Sequence, residues 1–571
     1  MAKKRAKALA IILGVIMTVA SVFGGVGCKP PDIIKVDKNK TQLYIGTYGG
    51  GFGTAFLEDL KIRFEEKMIN ESYEEGKTGV QVFYQEDKDK YNASNLKDTI
   101  SYDTNELYFL NGDELNDFLS GNKIREITNA VTTPLTEYGE EDSIADKIRA
   151  EQVAHHNRDG KYYSIPFAES TLGVIYDVDV FEQYKLYLAK NGAPSEVLQQ
   201  GGKFEEGYQW VGADGERSAG PDGKYETEYD NGLPATLEEF EELIDRMDKR
   251  GVNSIVWTGQ YADTYTSFLP RAFHVNYHGA EQSKILVDGQ ARETTLVKSF
   301  ENGKPITETV SVGLSNIKEL ARQAGYYYGL KMFEIMLTSD TVSDYAFQDL
   351  SHVRTQEKFL ISNFRNGETP IAFMIDGAWW ENEADSAGTF TDNITEFGND
   401  ASRQNRRFGL LSMPNADDED LKARIAGKKG AITGGGGSIV VNANVPEAKM
   451  ELIEDFIRFA MTNESLNRFM VNTSLPTPYK MELKDEYESK MTYFAKNYYE
   501  IYKNSEVFYA DHEPHNFTVT SEFLNVKDIV TYQSSNDPKE GNKYGLFPTE
   551  VEYNKVTAKD YFEGIYRRCG V

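Results

Sequence analysis

The chain has 571 residues and a formal net charge of −28, from 90 acidic and 62 basic side chains. Such an acidic surface repels other polyanions, so nucleic acid is excluded as a partner and a neutral or cationic ligand is expected. The two cysteines, Cys28 and Cys569, provide no disulfide framework, and packing must stabilise a chain long enough for two or more lobes.

The first 28 residues have the layout of an export signal. Basic side chains at positions 3–7 precede an apolar run over 8–23, and small residues lead to Cys28. This layout resembles bacterial lipoprotein signals, which implies a signal peptide over 1–27 and a lipid on Cys28 that anchors the protein outside the cytoplasm. An ordinary secretory signal or an uncleaved anchor would give the same location.

The elements that follow predict a parallel sheet. After a flexible tether over 28–40, residues 41–48 alternate as a strand, and 55–68 have the apolar spacing of a helix. Further strands are predicted over 80–85 and 106–112, with a helical segment between them. The order β-α-β-α-β builds parallel sheets, so the chain is placed in the α/β class.

Polar side chains follow these strands where a ligand would be bound. Open parallel sheets bind ligands beyond the carboxyl ends of their strands. Tyr48 follows the first strand, and Asn111 and Asp113 lie at and beyond the end of the third. We expect these three at a ligand site, while noting that loops are polar in most proteins.

The segment 160–182, GKYYSIPFAESTLGVIYDVDVFE, predicts two strands joined by a short polar turn. It resembles the crossing strand of the extracellular solute-binding proteins of ABC importers, in the sugar-binding group that includes the maltose-binding protein. In that group, a turn of this kind lies at the cleft between two lobes and commonly presents an acid to the sugar. The resemblance implies that role for Glu169.

The resemblance continues downstream in the same order along the chain. Matching segments are 231–252, 254–270, 371–386, 408–414, 434–470 and 472–481. In the first, Thr236 is a predicted helix N-cap with Glu239 three residues on. The clearest, IAFMIDGAWWENEADS over 371–386, resembles the strand, glycine and tryptophan of a cleft wall on which the ligand stacks.

Two regions depart from compact members of the group, an insertion near 190–233 and a tail over 482–571. The insertion holds Asp214, Asp222 and Asp230, each followed by glycine or asparagine. Aspartates at short intervals with sharp turns are how calcium loops are made, so structural Ca²⁺ is one interpretation. A hydrophilic, turn-rich loop is the other, because Asp-Gly favours turns in any case. No cofactor is otherwise required.

Catalytic motifs for serine hydrolases, zinc proteases and P-loop enzymes are missing from the sequence. His512 and His515 flank Pro514, which prevents a regular helical metal pair. A surface glycoside hydrolase is the serious enzyme alternative, since it needs only two carboxylates, and Asp113 and Glu169 would serve. The β-α-β opening and crossing strand favour two hinged lobes and a non-enzymatic protein.

The resemblance implies a periplasmic-binding-protein-like fold of type II, in which each lobe is a central sheet flanked by helices. A first lobe is predicted over 41–165 plus 415–462, and a second over 166–414 plus 463–571. The crossing segments are expected near 163–168, 408–416 and 460–475. Closure around a ligand would be a hinge motion.

The ligand that the resemblance implies is a carbohydrate, with an oligosaccharide favoured. A sugar needs aromatic plates for its apolar faces and charged partners for its hydroxyl groups. The candidates are Trp379, Trp257 and Tyr261 as plates, with Trp380 and Tyr48 behind them, and Asp113, Glu169 and Asn111 as polar partners. Neighbouring side chains point apart, so at least one of the Trp379–Trp380 pair is expected in the core.

A peptide or a polyamine is the alternative ligand class, because the negative charge would favour a cation. The implied protein partners are the membrane subunits of an ABC permease. The protein itself is expected to be a monomer.

Overall fold

The computed structural model describes residues 35–192, 207–219, 231–416, 430–510 and 547–568. The predictions for 1–27, Cys28, Asp222 and Asp230 concern residues outside these ranges. In chain order, the strands are β1 Thr41–Thr47, β2 Val80–Glu86, β3 Leu107–Asn111, β4 Asn157–Arg158, β5 Lys161–Tyr162, β6 Ser164–Ser170, β7 Leu172–Asp177, β8 Tyr187–Leu188, β9 Trp210–Val211, β10 Asn253–Val256, β11 Arg292–Glu301, β12 Lys304–Val312, β13 Ile371–Gly377, β14 Phe408–Leu410, β15 Ala431–Val441 and β16 Glu506–Tyr509.

Helices separate many of these strands along the chain. They are α1 Ala55–Lys67, α2 Ala93–Thr99, α3 Leu115–Ser120, α4 Thr128–Thr132, α5 Ile144–Lys147, α6 Ala150–His156, α7 Val178–Tyr184, α8 Leu237–Arg250, α9 Ala262–His278, α10 Ala280–Ser283, α11 Ile285–Asp288, α12 Ala324–Thr338, α13 His352–Ile361, α14 Trp380–Ser386, α15 Thr389–Phe397, α16 Met450–Ala460, α17 Asn463–Thr473, α18 Asp485–Glu488, α19 Tyr493–Asn504, α20 Phe547–Asn554 and α21 Ala558–Arg568. Across the described ranges, none combines the length and the apolar character needed to cross a membrane.

The first lobe is built on a sheet with the strand order β2-β1-β3-β15-β16, in which β6 also pairs with β15. β1 runs parallel to both β2 and β3, as the β-α-β-α-β pattern predicts. Helix α1 covers this sheet, because its apolar stripe faces inward: Phe56, Leu60 and Phe64 are buried.

The second lobe is built on a sheet with the order β10-β13-β7-β14. β10 and β13 are parallel, and β7 is antiparallel to both β13 and β14. Helix α8 packs its apolar side on this sheet, with Phe240 stacked 6.1 Å from Phe373 of β13. Thr236 caps α8 as predicted, since its hydroxyl accepts a hydrogen bond from the backbone N–H of Glu239 at 3.2 Å.

The chain passes between the two sheets within one residue. β6 ends at Ser170 in the first sheet and β7 begins at Leu172 in the second, which leaves Thr171 as the connection. Its carbonyl accepts from the N–H of Ala378 at 2.8 Å, while its hydroxyl lies 3.2 Å from that of Thr433 on β15. Thr171 therefore contacts both lobes.

The division of the C-terminal part differs from the predicted lobe boundaries. Helix α17, assigned above to the second lobe, packs on the first, because Phe469 lies 5.2 Å from Phe56 of α1. Strand β16 also belongs to the first sheet, where it runs parallel to β15. Helix α19 does pack on the second lobe, since Phe494 contacts Trp380 at 5.7 Å.

Candidate functional site

The carboxyl ends of the parallel strands in the two sheets meet across the space between the lobes. The loop after β1 is glycine-rich, and Gly51 in this loop contacts the residues that follow β13. Asn382 of α14 donates a hydrogen bond from Nδ2 to the carbonyl oxygen of Gly51 at 3.1 Å. The strand ends of both lobes thus form one site, at the edge where α/β sheets bind ligands.

Glycines allow the indole of Trp379 to fit between the lobes. A Cβ atom added to Gly51 would lie 2.2 Å from Cδ1 of Trp379, and one added to Gly377 would lie 2.3 Å from its Cε2. Such distances are far inside van der Waals contact. Both positions therefore require glycine for the backbone to approach the half-buried indole.

Three tyrosines lie near one another and near Glu383, which follows Trp379 by four residues. Tyr48 and Tyr265 are half-buried, and Tyr261 is 45% exposed. Burial raises the pKa of Tyr48, and the charge of Glu383 raises this pKa further. Burial likewise raises the pKa of Tyr265, together with the charges of Asp376 and Glu383. Both phenols are therefore neutral hydrogen-bond donors at physiological pH.

Carboxylates of the second lobe lie beside these rings. Nε2 of Gln356 donates to Oδ2 of Asp376 at 3.0 Å and to Oε2 of Glu383 at 2.9 Å. Nε2 of His352, one helical turn before Gln356, lies 3.4 Å from Oε1 of Glu383. Burial and the charge of Glu383 raise the pKa of Asp376 to about 8. The site thus holds a buried neutral acid beside a more exposed carboxylate.

Trp257, a predicted plate, and Trp380, expected behind the plates, are both buried away from this site. Trp257 is 1% exposed, with edge-on contacts to Phe333 and Phe347. Trp380 is completely buried. Its neighbours are Phe359, Phe390, Phe408 and Phe494. Both indoles are core residues of the second lobe, where large apolar area is most stabilising.

Glu169 lies inside the crossing region and is 1% exposed. Oε1 accepts hydrogen bonds from the hydroxyl of Tyr509 at 2.6 Å and from Nε2 of Gln152 at 2.7 Å. Burial raises its pKa to about 8 against the opposing effect of these bonds. Glu169 thus links the crossing segments from a buried position, and the contact with a ligand that the resemblance implied stays a prediction.

The remaining predicted residues are dispersed. Asn111 ends β3, opposite Gly437 of β15, and is half-buried. Asp113, two residues on, contacts His155 of α6, with 3.2 Å between Oδ1 and Nε2. Asp214 lies in an exposed turn, and its predicted partners Asp222 and Asp230 are outside the described ranges, so the calcium interpretation stays a prediction.

Sequence reasoning missed five of the residues at the site. Asp376 and Glu383 belong to the segment 371–386 that was identified for its tryptophans. Tyr265 follows Tyr261 by four residues, and Gln356 follows His352 by four, which is the spacing of neighbours on one helix face. Each pair was detectable as a pattern, but nothing local indicated which face would meet the other lobe.

Comparison with known proteins identifies the family. A family model described as "Bacterial extracellular solute-binding protein" matches residues 80–495. No curated protein sequence is significantly similar to this chain.

Solved structures share the fold at low sequence identity. One, titled for xylan utilisation by Caldanaerobius polysaccharolyticus, has 12% identity and a TM-score of 0.51 over 92% of this chain and 99% of that one. The GacH receptor of Streptomyces glaucescens, solved unliganded and with acarbose, has 10% identity and a TM-score of 0.51 over 93% and 97%. The cyclic α-maltosyl-1,6-maltose binding protein of Arthrobacter globiformis has 10% and 0.50 over 93% and 98%.

The two-sheet α/β architecture agrees with these neighbours and with the predicted fold class. The family model spans well over half of the sequence. The chain therefore belongs to the bacterial extracellular solute-binding protein family.

Proposed function

We propose that this protein captures an oligosaccharide between its lobes, outside the cytoplasm, and delivers it intact to the membrane subunits of an ABC importer. The observation that carries the proposal is the wall of aromatic rings and carboxylates where the strand ends of both sheets meet. Two structural neighbours, one solved in complex with acarbose and one named for binding cyclic α-maltosyl-1,6-maltose, support a saccharide as the solute.

The chemistry of the wall suits a sugar. Pyranose rings have apolar C–H faces that pack on aromatic rings, and Tyr48, Trp379 and Tyr261 offer such faces. Sugar hydroxyls form their strongest hydrogen bonds with charged groups, and Glu383 is a carboxylate with a side chain that is 21% exposed. Together they would bind both the faces and the rim of one saccharide.

Ligand binding would be coupled to closure of the lobes. Tyr48 belongs to the first lobe, whereas Trp379, Tyr261 and Glu383 belong to the second. A ligand that contacts both groups gains its full binding energy only in the closed state, so it shifts the population toward that state. The contact of Asn382 with Gly51 would be made only when the lobes are closed.

Burial of the paired acid favours a carrier over a glycoside hydrolase. Asp376 and Glu383 resemble a catalytic pair, because two carboxyl groups accept from the same Gln356 amide and burial raises the pKa of Asp376 to about 8. Asp376 is, however, only 2% exposed, and its Oδ1 accepts from the N–H of Gly377 at 2.7 Å. A general acid must reach the glycosidic oxygen, which this buried group does not.

The proposal extends to location and assembly. The family's description as extracellular supports a site of action outside the cytoplasm. A lipid on Cys28 would hold the protein at the membrane, where a monomer would meet its permease.

A thermal-shift screen tests the ligand class. A ligand present at 100 times its Kd adds about 2.7 kcal/mol to the free energy of unfolding, which is readily detected. We expect stabilisation by α- or β-linked oligosaccharides and none by oligopeptides or polyamines. Stabilisation by a polyamine alone would replace the saccharide with a cation. Chromatography of the incubated saccharide should show no shorter products, and their appearance would indicate a hydrolase.

A further inference from the structure

A cluster of one carboxylate and two imidazoles lies in the first lobe, apart from the saccharide wall. Asp113, His155 and His156 each place one ligand atom within 4.8 Å of the others. Nε2 of His155 is 3.2 Å from Oδ1 of Asp113, and the two imidazole rings are edge to face with centroids 5.0 Å apart. Both histidines are at least 94% buried.

The backbone holds these three side chains in place. Asp113 follows β3, and its Oδ1 also accepts from the N–H of Leu115 at the start of α3, at 2.8 Å. The preceding Gly112 accepts from the hydroxyl of Ser438 on β15 at 3.0 Å. His155 and His156 end α6, which packs against β6. The cluster is thus supported by regular elements of one rigid lobe.

The donor set and its spacing match a transition-metal ion. Nitrogen and oxygen ligands at about 2.0–2.1 Å from a tetrahedral Zn²⁺ are roughly 3.3 Å from each other. The 3.2 Å between Nε2 of His155 and Oδ1 of Asp113 matches this separation, and the ligand atom of His156 lies within 4.8 Å of both residues' ligand atoms. Ca²⁺ and Mg²⁺ are unsuited, because they prefer oxygen ligands.

His156 has the surroundings of an oriented metal ligand. Its Nδ1 lies 2.8 Å from the hydroxyl of Ser164, a contact that fixes the ring and leaves Nε2 available to a metal ion.

We propose that Asp113, His155 and His156 form a binding site for a divalent transition-metal ion with the ligand preferences of Zn²⁺. Three protein ligands leave a fourth position for water, as in other three-ligand zinc sites. Asp113 then serves the metal and not the sugar. This site does not depend on the identity of the transported solute.

Arg158 provides a test of charge at the same place. Its positively charged guanidinium donates to Oδ1 of Asn116 at 3.3 Å, and Arg158 lines the same cavity as His155. A cation at the cluster would be repelled by the same charge. Removing the charge in R158Q should therefore tighten metal binding several-fold.

Zn²⁺ titration by calorimetry on the chelator-stripped chain tests the proposal. All variants are made in a background with H512Q and H515Q, because those two histidines lie outside the described ranges. We expect one tight site that H155Q and H156Q each weaken by at least about 100-fold and S164A by about tenfold. H352Q is the matched control, since His352 also contacts a carboxylate but belongs to no cluster of metal-ligating side chains within the described ranges.

Two results would overturn the site. One is Zn²⁺ binding in H155Q and H156Q that equals binding in H352Q, and the other is no Zn²⁺ binding at all. Should the histidine variants fail to fold, S164A and R158Q decide, because only a metal site predicts weakening in the first and tightening in the second. Co²⁺ should give the intense visible absorption of a tetrahedral site, and weak octahedral bands would contradict the assignment.

Discussion

Substitution of Gly51 by alanine is the sharpest test of the contact between the lobes. The added Cβ would lie 2.2 Å from Cδ1 and 2.4 Å from Cγ of Trp379. Carbon atoms pack at about 3.5–4.0 Å, so the indole or the lobe has to move by more than about 1 Å. Each lobe would fold normally, because φ of Gly51 lies outside the left-handed region and alanine fits its backbone.

The expected cost has two parts. Overpacking at a closed contact costs typically about 1–3 kcal/mol, and loss of the hydrogen bond from Asn382 to Gly51 costs about 0.5–1.5 kcal/mol. Together they weaken closure by about 2–4 kcal/mol, which raises Kd by roughly 30- to 1,000-fold. The free energy of unfolding should change by less than about 0.5 kcal/mol, because the lobes separate without unfolding.

Calorimetry with the best oligosaccharide measures Kd for four proteins: the wild type, G51A, W379A and the double variant. In the W379A background the clash is absent, so G51A should add much less there than in the wild type. A Kd for G51A within about twofold of the wild type would refute the reasoning, since it would mean that the ligand-bound state does not bring Gly51 against Trp379.

Three further predictions follow from burial, titration and the signal segment. W379A should weaken saccharide binding by at least about 1–2 kcal/mol with little loss of stability, whereas W380A should lower the free energy of unfolding by about 3–5 kcal/mol; calorimetry and urea unfolding separate them, and the reverse pattern would contradict the assignment. Because the pKa of Asp376 is raised to about 8, the native state keeps a proton that the unfolded chain has lost, so stability should fall between about pH 4 and 8. D376N should lessen that fall in urea unfolding, and identical pH dependence in the two proteins would disprove the buried acid. C28S should move the protein from the membrane fraction to the soluble fraction on immunoblots; retention in the membrane would exclude the lipid anchor.

Local pattern was enough to predict the first half of the first sheet. The strands expected over 41–48, 80–85 and 106–112 and the helix over 55–68 agree with the structure to within two residues. Periodicity of apolar residues reports burial of one face, which is a property of neighbours along the chain. The prediction of an extracellular solute-binding protein is confirmed by the family match.

Whether a tryptophan lies in the core or at the ligand site depends on contacts with residues distant in sequence, which the local pattern does not show. Trp257 is core because Phe333 and Phe347 arrive from other elements, and Trp380 is core because Phe494 arrives from α19. Of the adjacent tryptophans, one was expected in the core, but the sequence did not say which. An indole has the same appearance in a sequence whether it contacts ligand or phenylalanine.

Polarity was equally ambiguous for Glu169. A carboxylate in a polar turn at a crossing strand resembles a ligand contact. In the structure, Tyr509 and Gln152 satisfy it, and these residues lie 340 and 17 positions away in the chain. Only three-dimensional contacts distinguish an acid that binds sugar from one that joins two segments of the same protein.

Thr171 lies at one of the crossings that would act as a hinge between the lobes. Thr171 alone links β6 to β7, and its hydroxyl meets that of Thr433 on β15, so this crossing is expected to move little when the lobes open. Residues near a hinge move little, whereas Gly51 and Asn382, which meet across the two lobes, would separate on opening. The distance between two spectroscopic labels placed near Thr171 should therefore change little on ligand binding. The distance between labels placed near Gly51 and Asn382 should change much more.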